Sequence, residues 1–303
     1  MVSTNINFDT IVGGGMARDG TALDRILAGS TCTMPASVFD PLTARMAVEL
    51  GYRCAVLPGS SVSLHHLGLP DITLVSHDVV VDLCRRIARG LPIPLIVDGD
   101  HGFGNAINAR RFAEDLAASG AAAVTIEDTY LPRRLSPQAE SGISREEACA
   151  KIRAAVDGAA GSSLQVIART STAVCPDKSA LVDRLRAFEQ TGAAALFVSG
   201  MKDWATLEVV VAATTLPLVL GARSKELKDQ ARLGEMGVRI ALACHSVSLS
   251  AYRGAWDRLS MNAAPRPAED FSVLVDRLSG GPDFRAQAQA YCADPLTQQA
   301  AKK

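Results

Sequence analysis

Short apolar runs alternate with longer amphipathic stretches along most of the 303-residue chain, and this alternation limits the possible folds most strongly. The predicted strands comprise residues 31–37, 54–57, 95–97, 123–126, 165–168, 195–198, 218–220 and 240–243. The predicted helices comprise residues 41–51, 79–90, 105–120, 144–158, 178–192, 203–213 and 224–237. Nearly all-apolar strands joined by helical crossovers are typical of a parallel sheet that is covered on its outer face.

Glycine marks the end of several predicted helices, as is common at helix carboxyl ends. The segments ASGAAAVTIED, QTGAAALFVSG and EMGVRIALACH each place a glycine and small residues before an apolar strand. The repeating unit is therefore one β/α pair, and the chain has room for about eight of them. This number favours a closed (β/α)8 TIM barrel. An open doubly wound sheet stays an alternative, because closure leaves no local signal in a sequence.

The alternation of predicted strands and helices ends near residue 260, which suggests that the chain has two parts of unequal size. We predict a barrel over residues 1–260, of which residues 1–20 form a loose, glycine-bearing arm. Residues 261–303 are predicted to be a C-terminal helical extension that packs on the barrel or on a neighbouring subunit. Within this extension Phe271–Leu278 has a helical pattern, GGPD predicts a break, and the rest is a polar end.

Composition excludes several classes of protein. The net charge of −1 predicts no basic surface for nucleic acid. No apolar run approaches the roughly 20 residues that span a bilayer, so we expect no membrane insertion. The first 20 residues lack the charged-then-apolar order of a signal peptide. The seven scattered cysteines predict reduced thiols and a cytoplasmic location.

Acidic residues follow two neighbouring predicted strands, at the end of a β/α barrel where active sites lie. Asp98 and Asp100 come after the third strand, and Glu127 and Asp128 come after the fourth. Crowded carboxylates repel one another unless protons or a cation neutralise them. An all-oxygen site suits Mg²⁺, with Mn²⁺ as an alternative. A single aspartate after a strand is equally well a helix cap, but the group of acids favours a metal site.

Other polar residues at the same end have both a structural and a functional interpretation. Gly59, Ser60 and Ser61 after the second strand either connect two elements or bind an oxyanion. Arg169 after the fifth strand either forms a structural salt bridge or binds a substrate carboxylate. His245 after the eighth strand is either a capping histidine or a ligand-binding residue.

Two segments, VDGDHGFGN and GAAAVTIEDTYLPRR, resemble the isocitrate lyase/phosphoenolpyruvate mutase superfamily, and the similarity runs in order from about residue 29 to 255. The resemblance implies a (β/α)8 barrel, Mg²⁺ and substrates that react through enolate-like intermediates. It also implies a homo-oligomer, a dimer of dimers in which paired subunits exchange the eighth helix.

The resemblance assigns roles to individual residues. Asp98 matches the main metal ligand. The residues that match acids near the metal, directly or through water, are Asp71, Asp100 and Glu127. The segment formed by Gly59, Ser60 and Ser61 matches the loop that holds the substrate carboxylate. Arg169 matches the arginine that binds the distal anionic group, and residues 131–144 match the gating loop.

Departures from the family pattern narrow the expected reaction. The KKCGH-type cysteine motif of the isocitrate and methylisocitrate lyases is replaced by LPRRLSPQAE, which argues against their reaction. Gly99 stands where alanine is common, and we expect it only to loosen the turn. The HGFGNAIN segment together with His245 resembles the oxaloacetate decarboxylase branch.

This resemblance implies decarboxylation of oxaloacetate, a small 2-oxo acid, to pyruvate and CO₂. Arg169 and His245 are the expected catalytic residues, and both are expected to bind the substrate. His245 is the candidate donor of a proton to the enolate. The alternatives are a 2-alkylmalate lyase, a phosphonopyruvate hydrolase, or a non-catalytic ligand-binding barrel. The intact acidic set argues against the last of these.

Overall fold

Eight parallel strands form one sheet in the order in which they occur along the chain. The structure is a computed structural model that describes residues 20–130, 142–175, 177–221, 223–243, 246–264 and 269–292. The strands of this described part are β1 (Ala36–Ser37), β2 (Ala55–Leu57), β3 (Leu95–Asp98), β4 (Ala123–Glu127), β5 (Gln165–Ser171), β6 (Ala195–Ser199), β7 (Leu218–Gly221) and β8 (Val238–Ala241).

The sheet closes on itself between its last strand and the residues before its first. Thr33 donates from its backbone N–H to the carbonyl oxygen of Arg239 at 2.8 Å, and its own carbonyl accepts from Ala241 at 3.0 Å. The isolated parallel bridge between Thr33 and Ile240 belongs to the same pairing. The predicted (β/α)8 barrel is confirmed, and the open doubly wound sheet is not found.

Helices connect the strands and cover the outside of the barrel. They are α1 (Gly20–Ala28), α2 (Pro41–Glu49), α3 (Gly59–Val62), α4 (His77–Ala88), α5 (Ala106–Ser119), α6 (Arg145–Ala159), α7 (Lys178–Glu189), α8 (Trp204–Val211), α9 (Gln230–Glu235), α10 (Ser246–Ser260), α11 (Phe271–Leu278) and α12 (Gly281–Cys292). A π-helical turn, Ser63–Leu67, directly follows α3. Side-chain caps fix several helix starts: Asp40 accepts from the Thr43 N–H at 2.7 Å, and the Thr43 hydroxyl accepts from the Asp40 N–H in return.

Two apolar layers fill the barrel on either side of the sheet. The larger layer lies between the strands and the surrounding helices. The smaller one lies inside the barrel and includes Val56, Ile167 and Phe197. Helix α1 adds Leu23 and Ile26 to this inner layer, so the helix shields one end of the barrel interior from water.

Most predicted elements are present, and the differences have local causes. The first strand covers only Ala36–Ser37 because Pro35, inside the predicted run 31–37, has no N–H to donate. Arg169 was predicted to follow the fifth strand. Strand β5 continues to Ser171, however, so Arg169 lies within it. The predicted helix at 224–237 is formed only over Gln230–Glu235.

The two ends of the chain also differ from the prediction. Helix α1 was not predicted, and residues 1–19 of the predicted arm lie outside the described residues. The predicted break at GGPD is present between α11, which ends at Leu278, and α12, which begins at Gly281 and occupies the predicted polar end. Pro282 does not prevent this, because the first turn of a helix needs no N–H from proline. Phe271, at the start of α11, packs against α10: the guanidinium carbon of Arg253 lies 4.0 Å from the centre of the Phe271 ring.

Among the described residues, no helix is both long enough and apolar enough to cross a membrane.

Candidate active site

Asp98, Glu127 and Arg169 lie on three adjacent strands near their carboxyl ends. Asp98 is the last residue of β3, and Glu127 is the last residue of β4. In the strand register Asp98 is opposite Thr125, and Glu127 is opposite Arg169. Pairing of neighbouring parallel strands therefore brings these side chains together, as the sequence predicted.

Asp98 is the central acceptor of this group. Its Oδ1 accepts from Arg169 Nη1 at 2.8 Å, from the Thr125 hydroxyl at 3.1 Å and from the Asp100 N–H at 3.3 Å. Its Oδ2 accepts from the Gly59 N–H at 3.4 Å. Burial opposes ionisation, but Arg169 and these hydrogen bonds outweigh it and hold the pKa of Asp98 below its usual value. Asp98 is thus an anion at neutral pH.

Arg169 connects two of the carboxylates. Its Nη1 contacts Asp98 and its Nε lies 2.8 Å from Glu127 Oε2, while its guanidinium carbon lies 5.1 Å from the centre of the Phe197 ring. Burial disfavours the charge, but Asp98 and Glu127 raise the pKa of Arg169 above its usual range. The salt-bridge interpretation of Arg169 therefore holds in this structure. Its Nη1 donates to Asp98, whereas its Nε, although close to Glu127, has no hydrogen-bond partner among the described residues, so donors remain for another anion.

Acidic side chains outnumber basic ones in the cluster. Burial and the neighbouring acids raise the pKa of Asp100 well above its usual value. Burial also raises the pKa of Glu127, and desolvation together with Asp98 raises that of Asp71. These three carboxylates and Asp98 face Arg169 as their shared cation. A second cation would lower their mutual repulsion.

A tight turn after β3 directs Asp100 toward α3. Asp100 has the left-handed φ of 44°, which aspartate adopts more readily than most residues. Its carbonyl accepts from the Glu127 N–H at 2.8 Å and fixes the turn to the end of β4. A Cβ atom at Gly59 would lie 3.0 Å from Asp100 Oδ1, so only glycine leaves this carboxylate its present space.

Gly99 faces a tightly packed wall. A Cβ atom there would lie 2.6 Å from the Thr125 carbonyl oxygen, 2.7 Å from Val124 Cγ2 and 2.9 Å from Phe112 Cε1. The expectation that Gly99 merely loosens the turn is therefore wrong, because backbone and core atoms fill the space beside it.

Gly99→Ala should destabilise the protein by about 1–3 kcal/mol, because the added methyl group must displace Val124 and Phe112. Urea unfolding of the two proteins measures the difference. Gly254→Ala is a matched control, since a Cβ atom at this exposed position on α10 meets nothing within 4 Å. A variant Gly99→Ala that is as stable as the wild type would contradict the packing argument.

The segment predicted to hold the substrate carboxylate forms the short helix α3. Gly59 and Ser61 are buried, whereas Ser60 is partly exposed. The Ser61 hydroxyl is 2.9 Å from the hydroxyl of Ser248 on α10. Ser60 is therefore the member of the segment whose hydroxyl is open to a ligand.

Asp128 does not join the acidic cluster, although it follows Glu127 directly. Successive side chains of a strand point to opposite faces, so Asp128 leaves the barrel interior and contacts Arg184 of α7 at 3.0 Å. Arg184 also donates to the Ile143 carbonyl at 3.3 Å. Strand alternation was the signal that could have separated these two neighbours.

The described residues leave out two parts of the predicted site. His245 lies outside the described residues, as does the stretch 131–141 of the predicted gating loop. Sequence reasoning did not find Thr125, which donates to Asp98, or Ser248, which contacts Ser61. Neither residue has a motif, and only the register of β3 with β4 and the path of α10 identify them.

The donor set fits a hydrated divalent cation better than a bare one. In the described part of the chain, no three Asp, Glu, His or Cys side chains are arranged to hold a metal ion by themselves. Mg²⁺ usually keeps several waters and binds only one or two carboxylates. An ionised Asp98 next to the acids Asp100, Glu127 and Asp71 provides such oxygens.

Known proteins resemble this chain over most of its length. The phosphoenolpyruvate phosphomutase family model matches residues 23–263. An oxaloacetate decarboxylase of Rhodopseudomonas palustris (strain BisB18) is 41% identical over 254 residues, which cover 84% of this chain and 88% of that protein. The crystal structure of an oxaloacetate acetylhydrolase superposes with a TM-score of 0.72 at 26% identity, covering 91% of this chain and 99% of that one. A phosphonopyruvate hydrolase in complex with oxalate and Mg²⁺ gives a TM-score of 0.69 at 26% identity, with coverage of 91% and 99%.

Proposed function

The chain belongs to the phosphoenolpyruvate phosphomutase family, and from this membership we propose that it decarboxylates oxaloacetate to pyruvate and CO₂. The main supporting observation is the ionised Asp98 at the carboxyl end of the barrel, which is bonded to Arg169 and to the N–H of Gly59. This arrangement places an anchor for a cation beside a helix start that can receive a carboxylate. Similarity to oxaloacetate decarboxylases at about 40% identity supports the choice of substrate.

We propose Mg²⁺ as the cation, with Mn²⁺ as an alternative. Asp98 is the proposed direct ligand, and Asp71, Asp100 and Glu127 act through water. When bound, the cation withdraws electron density from the 2-oxo group and stabilises the charge released when the C3–C4 bond breaks. The excess of buried carboxylates supports this assignment.

The residues around Asp98 are proposed to hold the two ends of the substrate. The Ser60 hydroxyl and the backbone at Gly59 bind the C1 carboxylate, while Ser61 supports this segment through its contact with Ser248. The free N–H donors of Arg169 orient the C4 carboxylate. Asp98 and Glu127 already neutralise much of the charge of Arg169. The arginine therefore positions the departing carboxylate but stabilises the bound substrate only weakly. Strong stabilisation of the bound substrate would slow the reaction.

His245 is the proposed donor of the proton that converts the enolate to pyruvate. In the sequence it directly precedes α10, beyond the end of β8. An imidazole titrates near neutral pH and can therefore give up a proton there and regain it from solvent.

The proposed reaction is tested by incubating the purified protein with oxaloacetate, with and without Mg²⁺, and measuring pyruvate above the spontaneous background. We expect a metal-dependent rate that saturates with substrate. The same assay with phosphonopyruvate and with 2-alkylmalates separates the sibling reactions of the family. A protein that uses one of these, but adds no rate with oxaloacetate, would refute the decarboxylase assignment and retain the family.

Mg²⁺ should raise the melting temperature more at pH 8 than at pH 5. Burial and mutual repulsion raise the pKa values of Asp100 and Glu127, so at low pH protons occupy these carboxylates and compete with the cation. Thermal unfolding with MgCl₂, and with LiCl at the same ionic strength, measures the specific shift. A shift of equal size at both pH values would argue against ligation by these acids.

Exposed apolar residues on the outside of the barrel support a proposal about assembly. The exposed apolar residues Leu42 and Met46 of α2 and Leu50 at its C-cap recur every four positions and form one stripe. On α10, Leu249 and Leu259 are also exposed. We infer that α10 is exchanged between paired subunits, so that the α10 of a second copy covers this stripe, within a dimer of dimers. Light scattering after gel filtration should give a tetramer, and Met46→Glu should give smaller species. A monomeric wild type would refute the exchange.

A cytoplasmic location is also proposed. The thiols of Cys32, Cys54 and Cys149 are free and buried, and that of Cys175 is free and partly exposed. Free, buried thiols are typical of a reducing compartment.

A further inference from the structure

Helix α10 contacts the substrate-binding segment α3 through its first turn. The hydroxyls of Ser248 and Ser61 are 2.9 Å apart, and both residues are almost fully buried. Hydrogen bonds that are shielded from water are costly to leave unmade, so this pair fixes the relative position of the two helices. Ser248 is also the one buried residue of α10.

A second contact lies one helical turn further along both segments. The Tyr252 hydroxyl is 2.8 Å from Nδ1 of His65 and 3.3 Å from the carbonyl oxygen of Leu64. His65 is stacked between two rings, with its ring centre 3.6 Å from that of Phe39 and 4.5 Å from that of Tyr252. The π-helical turn that contains His65 is therefore held from both sides.

The two contacts are in register. Ser248 and Tyr252 are four residues apart on α10, and Ser61 and His65 are four residues apart on the opposing segment. Residues at this spacing lie on the same face of a helix, so one face of α10 contacts one face of the segment at two points. Gly59 and Ser60 begin that segment, and any shift of the segment along α10 moves them relative to Asp98.

We propose that Ser248 and Tyr252 are positioning residues that hold the Gly59–Ser61 segment in the place where it binds the substrate carboxylate. This inference rests on the proposed function, because it assumes that the segment contacts the substrate. Both residues act through their contacts with Ser61, Leu64 and His65 of this segment and the turn that follows it. Their effect falls on substrate binding and leaves bond cleavage, which depends on Asp98 and its neighbours, at its normal rate.

Ser248→Ala and Tyr252→Phe test the proposal by steady-state kinetics with oxaloacetate. Each variant removes one hydroxyl and keeps the remaining shape, and Tyr252→Phe also keeps the stacked ring. We expect KM to rise about fivefold for each, as for the loss of one hydrogen bond, with kcat changed less than twofold. Ser250→Ala, at an exposed position on α10, is the matched control and should leave both constants unchanged.

Hydrogen exchange of the backbone amides of residues 59–67 provides a readout that needs no turnover. The two variants should exchange faster there than the wild type and the control. This measurement separates the two proposals, because faster exchange in a protein without oxaloacetate activity refutes the proposed function alone. Unchanged exchange and unchanged KM would refute the positioning role, and so would a loss of kcat that follows a general loss of stability.

Discussion

Replacing Asp98 by alanine should lower kcat/KM for oxaloacetate by about 10³-fold or more. Asp98 accepts hydrogen bonds from four groups and is the ionised carboxylate of the cluster, so its removal takes away the proposed anchor of the cation. Loss of several kcal/mol of charge stabilisation corresponds to a factor of this size. Steady-state kinetics at saturating Mg²⁺ measures the effect.

Two further variants separate the charge of Asp98 from its packing. Asp98→Asn keeps the shape and one acceptor oxygen but removes the charge, and we expect it to be nearly as inactive as the alanine variant. Thr125→Val removes one donor to Asp98 and leaves the charge, so its loss should be much smaller, about tenfold. A folded Asp98→Ala variant with a tenth or more of the wild-type rate would contradict the role of Asp98 as the metal ligand.

The barrel and its acidic cluster could be predicted from the sequence because both depend on local patterns. Apolar strands and glycine-ended helices recur along the chain, and Asp98 and Glu127 terminate two neighbouring strands. Parallel pairing then brings those ends together without further information. Arg169 was also found this way, although its position within β5 and its contact with both acids depend on the register of β4 with β5.

The contacts of α10 with the Gly59–Ser61 segment and the turn after it could not be predicted from the sequence, because they depend on the path of α10. Ser248 is 187 residues from Ser61 in the chain and has no motif around it. Only the direction in which α10 leaves β8 brings the two hydroxyls together. The tight packing at Gly99 could not be predicted either, because it arises from Val124 and Phe112 on other elements.

Arg169→Met should make the metal-free protein about 3–5 kcal/mol less stable at pH 7.5, because it leaves Asp98 and Glu127 mostly buried without their cation. Without Arg169 the pKa values of both carboxylates rise above those of the unfolded chain. The native variant then binds more protons than the unfolded one, so its deficit should shrink as the pH falls toward 5. Urea unfolding at the two pH values measures this change. Activity should fall as well, because the proposed contact with the C4 carboxylate is lost.

Mg²⁺ distinguishes this effect from the loss of any buried ion pair. A divalent cation beside Asp98 replaces part of the missing charge, so it should stabilise Arg169→Met more than the wild type. Arg184→Met is the matched control, because it also strands a buried carboxylate, that of Asp128, but one that faces away from the cluster. We expect Arg184→Met to lose comparable stability and to gain no extra stabilisation from Mg²⁺. Equal rescue of both variants would mean that the cation binds elsewhere, whereas rescue of Arg169→Met alone would locate it among the acids that Arg169 now neutralises.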